Sequence, residues 1–509
     1  MKLSAFQDSS KRVMQGYWGE VVAVLAGLLL PFAFAPYDLV VFVLLSPAIF
    51  VVTWLYCPPK RALLRGYLFG LAYYGIGVSW ISVSMIRFGN MSVFLSVFLT
   101  ILFVAIWACF PAVTVYLVRR FFSRLSLPLS LLLLLPALWT FLEWTRSWVF
   151  TGYPWLSLGY TQVDGPLHGI APLLGVYGIS WLLILVAGGL VLLFYSEHMR
   201  YRVGVVALIA ALVLGSSSSG RIEWTQAKEK PIKVSLIQGN IPQELKWHPA
   251  YRQSSIQLYT DLSRKNWDSD LIIWPETAYP AFFQNERRAV LRLGEEAKAH
   301  NTDMLIGIPM VDEDDYKVHY NSVIAIGSKT DFYHKRHLVP FGEYLPLKAL
   351  LGDLLLFFRV PMANFSSGPG ERQVLEVAGT KAGISICYED VFGAEVIETL
   401  PEAEILVNVS NDAWFGDSFA PHQHLQMARM RAMETGRPML RATNNGVSAL
   451  IDHTGAIIEQ SPQFELSVLT ADIFPRTGNT VYTRLGNWPV IFIFTLSLIA
   501  AWVLQRRQI

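Results

Sequence analysis

Three side chains in the C-terminal half of this chain could together move an acyl group: the Cys387 thiol, the Glu276 carboxylate and the Lys335 ammonium. A thiol becomes a strong nucleophile only when its proton leaves, and an ordinary pKa of about 8.5 leaves little thiolate near neutrality. A carboxylate can take that proton as general base. An ammonium, with a backbone N–H beside the cysteine, can hold the oxyanion of a tetrahedral intermediate. Glu276 follows the apolar run Leu271-Ile272-Ile273-Trp274-Pro275, and Cys387 ends Gly383-Ile384-Ser385-Ile386. Lys335 lies in Tyr333-His334-Lys335-Arg336-His337. Strand ends are places where a rigid sheet positions reactive groups. Plainer readings exist for each: a strand terminator, a solvated surface charge, an inert buried thiol. Spacing alone does not gather the three into one site.

The elements around them read as an α/β domain. Short β-type runs recur at 232–238, 271–274, 304–308, 322–326, 383–387, 405–409, 446–451 and 468–473, with helical patterns at 251–265, 286–300 and 422–435. Strands alternating with helices imply sheet faces covered by helices.

The rest of the chain is of another kind. Of the whole chain's 509 residues 53% are hydrophobic and only 16% charged, against roughly 25% charged in ordinary globular domains. A net charge of +2 gives no reason to expect nucleic acid as a partner. Crossing a bilayer takes about 20 apolar residues. Candidate spans lie near 18–35, 39–57, 62–83, 91–117, 127–144, 171–195 and 203–217, with an eighth at 488–504. The first is broken by Pro31 and Pro36, and the seventh is short. Ala33-Phe34-Ala35 also resembles a signal-peptide cleavage site, but further apolar spans follow at once. The expected organisation is therefore a bundle over 1–220, the α/β domain over 221–485 and a last span over 486–509.

Basic residues near span ends mark the cytoplasmic side. They fall at Lys2, Lys11 and Arg12, at Lys60, Arg61 and Arg65, at Arg119, Arg120 and Arg124, at Arg200 and Arg202, and at Arg506 and Arg507. These are alternate joints, which predicts both termini inside and the α/β domain outside. Cys387 is then the only cysteine of the outer block, with Cys57 and Cys109 expected as small apolar residues within spans. An unpaired thiol in an oxidising compartment invites a chemical role.

Trp274-Pro275-Glu276, the Lys335 segment that runs on to Pro340-Phe341-Gly342-Glu343-Tyr344, and Ile386-Cys387-Tyr388-Glu389 resemble the Glu-Lys-Cys signature of the nitrilase, or carbon–nitrogen hydrolase, superfamily. Joined to membrane spans, they resemble its membrane branch, the apolipoprotein N-acyltransferases of bacteria. The stretches 149–155, 238–243, 411–416 and 441–446 look like that family too, so the resemblance covers nearly the whole chain. Glu389 stands where soluble relatives generally carry Asp. The resemblance implies an α-β-β-α sandwich on a multi-pass helical bundle in the bacterial inner membrane. It implies a phospholipid acyl donor, a diacylglyceryl-cysteine lipoprotein acceptor, a thioester on Cys387 and no cofactor, in a protein expected to be a monomer. Tyr388 would lend its N–H to the oxyanion, while Glu343 and Glu389 would orient Lys335 and shape the pocket.

Asn321 and Trp414 are expected near the pocket, or as plain scaffold. His422 and His424 are two apart on a helical pattern, hence on different faces, and no third ligand accompanies them, so no metal is expected. The segment 350–365, with Leu354, Phe357 and Phe358, reads as a membrane-touching lid or as buried core. Competing functions are a membrane-anchored amidase with the same triad, a non-catalytic lipoprotein-binding protein, and a transporter. The spans' scarcity of ionisable residues, Glu143 excepted, speaks against transport.

Overall fold

The computed structural model describes residues 14–89, 91–344 and 365–507. The chain divides into two compact units. One takes the residues up to Ser82, Val93–Ile222 and Leu485 onward, while the other takes Glu223–Arg484 and the short segment Val83–Ser92.

The first unit is helical. Among the described residues five helices are long and apolar enough to cross a membrane: Val93–Phe121, Leu127–Thr145, His168–Tyr195, Met199–Ser219 and Trp488–Arg506. The expected third span is a pair, Pro59–Gly77 and Ile81–Arg87, bent by 52°. The first two apolar helices, Trp18–Ala33 and Val41–Trp54, are shorter than a full span. Eight expected spans thus become five full ones, one bent and two short.

Small residues let these helices approach. A methyl group on Gly66 would lie 2.5 Å from the Ala112 Cα, and one on Gly70 would lie 2.7 Å from the Ala108 Cα. Close backbone approach of this kind is how apolar helices gain contact where no water drives them together. Buried polar groups here are answered internally. Arg65, read as a joint cation, is fully buried and pairs with Glu20 at 3.3 Å. Glu143 accepts hydrogen bonds from Trp139 Nε1, the Leu158 N–H and Ser180 Oγ. Cys57 is buried as expected, but Cys109 is exposed on its helix, so only one of the two is a core residue.

The second unit is built on two six-stranded sheets. The first contains β2 (Ile232–Gln238), β3 (Leu271–Ile273), β4 (Asp303–Val311), β5 (His319–Ile326), β6 (Asp331–His334) and β13 (Ser467–Ile473), in the order β13-β2-β3-β4-β5-β6. The other contains β7 (Val374–Val377), β8 (Thr380–Ile386), β9 (Ile405–Ser410), β10 (Met439–Thr443), β11 (Ala449–Ile451) and β12 (Ile457–Gln460), in the order β12-β11-β10-β9-β8-β7. In each the central pairs are parallel: β2, β3 and β4 in one, β8, β9 and β10 in the other. A short β1 (Thr225–Ala227) pairs with β14 (Arg476–Gly478).

Two-residue alternation decides which face each side chain joins. Val234, Leu236, Leu271, Ile273 and Leu305 meet Ile384, Ile386, Val407 and Val409 in one core between the sheets. The alternate residues Ile237, Ile272, Met304 and Ile306 pack outward on Tyr259 of helix Pro249–Arg264 and Val290 of helix Phe283–Ala299. Leu406 and Met439 pack on Ala428 and Ala432 of helix Phe419–Thr435. The layers run helix, sheet, sheet, helix, which is the expected sandwich.

Candidate active site

Glu276 stands just beyond the end of β3, Lys335 just beyond β6 and Cys387 just beyond β8. The first two meet in one buried cluster. Lys335 is 1% exposed, and its Nζ lies 2.8 Å from Glu343 Oε2 and 3.8 Å from Glu276 Oε1. Asn321 Nδ2 donates to both carboxylates, at 2.7 Å to Glu276 and 3.0 Å to Glu343. Asn321 is opposite the end of β4 in the ladder, and its carbonyl accepts the Lys335 N–H at 2.8 Å. One residue therefore ties Glu276, Lys335 and Glu343 together. Of the two expected pocket residues, Asn321 lies in this cluster.

The turn carrying Glu276 is set by its neighbours. Thr277 has φ +47, and Gly307 on β4 lies so close that a methyl there would be 2.1 Å from the Pro275 carbonyl oxygen. Cys387 is itself at φ +51, outside the range that bulky residues favour. Asn408 on β9 holds the turn by donating to the Cys387 carbonyl at 3.1 Å.

Glu389 proves to be a clasp. Fully buried, its carboxylate accepts the main-chain N–H of Ile386 at 2.8 Å, of Arg336 at 2.8 Å and of His337 at 3.1 Å. Tyr333 Oη and Arg372 Nη2 add further bonds at 2.9 and 3.2 Å. The turn that carries the thiol is thereby fastened to the segment that carries the ammonium. The Tyr388 ring packs edge-on against Phe392. Trp414 packs edge-on against Phe88, 5.1 Å between centroids, on the 3-10 turn Asp412–Phe415. Leu354, Phe357 and Phe358 lie outside the described residues.

The electrostatics suit proton transfer. Burial is the largest influence on all three groups. It raises Glu276 above the usual carboxylate range, more than Lys335 lowers it. It raises Cys387 as well, aided by Glu276, so the resting sulfur is a thiol. Burial opposes the Lys335 charge, but Glu343 and Glu276 outweigh it and hold that ammonium above its ordinary value.

Two features escaped the sequence reading. Lys246, at the end of the short helix Gln243–Lys246, is buried and donates to the Glu276 main-chain carbonyl at 2.9 Å. Behind the cysteine turn, His424 bridges Asp390 at 2.7 Å and Asp412 at 3.3 Å, and Arg441 donates to Asp412 at 2.8 Å. Asp412 also receives the hydroxyl of Ser410 at 2.9 Å. The signal for this network lies in the opposite charges of Asp412 and Arg441, within the stretches 411–416 and 441–446. His424 is thus engaged with two carboxylates, which Arg441 shares.

Comparison with known proteins matches residues 26–189 to the model of the apolipoprotein N-acyltransferase N-terminal domain and residues 233–481 to that of the carbon–nitrogen hydrolases. An apolipoprotein N-acyltransferase of Methylococcus capsulatus is 46% identical over 472 residues, which cover 92% of this chain and 93% of the relative. One from Vibrio vulnificus is 40% identical over 500 residues, covering 96% and 97%. Another from Coxiella burnetii is 39% identical over 479 residues, covering 94% and 99%. With such likeness along almost its whole length, the chain belongs to the apolipoprotein N-acyltransferase family.

Proposed function

We propose that this enzyme transfers a fatty acyl chain from a phospholipid to the N-terminal α-amino group of a diacylglyceryl-cysteine apolipoprotein, through a thioester on Cys387. The observation that carries the reading is the buried cluster in which Glu276 and Lys335 share Asn321 and Glu343. In the first half-reaction the Cys387 sulfur attacks the ester carbonyl and its proton passes to Glu276. Proton loss accompanies bond formation, because the half-buried thiol, held up by desolvation and by Glu276, does not ionise beforehand. Lys335 and the Tyr388 N–H steady the oxyanion. Its collapse expels the lysophospholipid alkoxide, which takes the proton from Glu276. In the second half the acceptor amine attacks the thioester, passes a proton to Glu276 and leaves Cys387 as thiolate, which Glu276 reprotonates.

The alternating basic joints support a domain outside the inner membrane with both termini inside, although Lys2, Lys11 and Arg12 lie outside the described residues. A donor and an acceptor both anchored in lipid favour a site carried at the bilayer surface, and the apolar helices provide that anchorage.

The test incubates purified enzyme with phospholipid and maps the adduct by mass spectrometry. One fatty acyl group on the Cys387 peptide, discharged by a diacylglyceryl-cysteine peptide and not by water, is the expected result. Discharge by water at the same rate would make the protein a hydrolase, and an adduct elsewhere would overturn the nucleophile.

A further inference from the structure

Lys246 is a buried cation beside the triad to which the reaction above gives no task. Sinking an ammonium into a protein interior is costly unless something answers its charge. Its Nζ donates to the main-chain carbonyl of Glu276 at 2.9 Å, and the side chain is 3% exposed. We propose that Lys246 is a positioning residue for the base, holding the strained Glu276 turn in place and keeping its carboxylate ionised. The proposal rests on the reading of Glu276 as general base.

The turn needs holding. Thr277 sits at positive φ, and the bare backbone of Gly307 presses on Pro275 from one side. Lys246 pins the Glu276 carbonyl.

The charge count points the same way. Glu276 is faced by Lys335 from the segment after β6, by Glu343 from the loop beyond it, by Lys246 from the short helix and by the Cys387 thiol from the turn after β8. Asp412, after β9, acts on the thiol in its turn. With Lys246 present, two carboxylates are matched by two ammonium groups. Without it, Glu276 and Glu343 share Lys335 alone, and Lys335 sits nearer Glu343, at 2.8 Å against 3.8 Å. The carboxylate left to take up a proton is then Glu276, the base itself. Burial lowers Lys246 to about 8, with Glu276 and Cys387 partly offsetting it, so the cation persists through neutral pH.

The experiment measures single-turnover acylation of Cys387 by a diacylphosphatidylethanolamine, across pH, on full-length enzyme in detergent micelles. Lys246→Met removes hydrogen bond and charge, whereas Lys246→Gln keeps a donor and removes the charge alone. Both variants should move the acid limb up by about one pH unit and slow acylation roughly tenfold on that limb. Lys246→Gln should recover most of the thermal stability that Lys246→Met loses. Variants that keep the wild-type pH curve and differ only in melting temperature would reduce Lys246 to scaffold and overturn the proposal. A glutamine variant that restores the limb would overturn its electrostatic half. Wild-type enzyme that acquires no acyl group on Cys387 would instead overturn the reading of the triad, and this inference with it.

Discussion

Replacing Glu389 by alanine removes the clasp between the thiol turn and the ammonium segment, and the loss can be estimated from its partners. Three main-chain N–H groups lose their acceptor, that of Ile386 fully buried and those of Arg336 and His337 part-buried. A buried donor left without a partner costs about 1–3 kcal/mol. Arg372 keeps Glu395 at 2.7 Å, so its charge is not stranded and the full penalty for a broken buried pair does not apply. The buried Ile386 donor at about 1–3 kcal/mol and the two part-buried donors at about 0.5–1.5 kcal/mol each sum to about 2–6 kcal/mol. At about 2–4 °C per kcal/mol for a domain of this size, melting should fall by roughly 4–24 °C. Glu389→Gln keeps one oxygen but turns an NH2 toward a donor, so it should fall about half as far. Purified variants would be followed by tryptophan fluorescence on heating, with Cys387 acylation measured well below the transition. Acylation should drop even where Glu389→Ala is folded, because Cys387 and Lys335 are no longer held to a common register. An alanine variant melting within about 2 °C of wild type, with unchanged acylation, would refute the clasp.

Three further expectations follow from the same geometry. As the proposed base, Glu276 must be ionised to accept the thiol proton, and burial raises it, so the acid limb of acylation should lie above the ordinary carboxylate pKa of about 4.3; Glu276→Gln should abolish the acylation itself. Gly307→Ala drives a methyl to 2.1 Å from the Pro275 carbonyl, and should lose stability and at least tenfold in acylation rate, about 1.4 kcal/mol in the barrier, because Glu276 is displaced. Asp390 and Asp412 raise His424 against its burial and the repulsion of Arg441. Its charge therefore stabilises the fold fully below the unfolded value of about 6.5, and that contribution fades as pH rises through the raised native value. The melting difference between wild type and His424→Gln should shrink over that rise, and a difference constant with pH would remove His424 from the charge network.

What the sequence discloses, and what it hides, follows from the range of the interactions. Strand runs such as 232–238 and 405–409 are legible because alternation is local, and Glu276 and Cys387 are legible because they end such runs. β10 is not, since Arg441 sits in the middle of a central strand and reads as polar. It is buried there because Asp390 and Asp412, far away in the chain, come to meet it. Lys246 in Gln243-Glu244-Leu245-Lys246 reads as a solvated helix end, and only the return of the chain past Glu276 buries it. The short first helices are a further case. Apolar content predicts membrane residence, but Pro31 and the 3-10 turn Leu30–Ala33 end the first helix before it reaches a full span.

The same burial that makes the site slow to ionise suits it to transfer. A permanently charged thiolate would need solvation, and water able to solvate it could also attack the thioester. In this site Lys335 is 1% exposed and Glu276 8%, while Cys387 is half-buried and kept protonated. In the proposed mechanism the nucleophile exists only while a carbonyl is being attacked, with its proton moving to Glu276 as the oxyanion forms near Lys335. The charge of the cluster is conserved through the step, since Glu276 loses a negative charge as the oxyanion gains one. A low-dielectric site tolerates such a shift far better than the creation of a new charge. Opening the cluster to water should thus raise hydrolysis of the thioester faster than it slows acylation. Asn321→Ala, which removes the donor common to Glu276 and Glu343 and leaves a gap between them, provides the measurement. Its ratio of water discharge to amine discharge should exceed that of wild type by several fold, and an unchanged ratio would show that exclusion of water resides elsewhere in the fold.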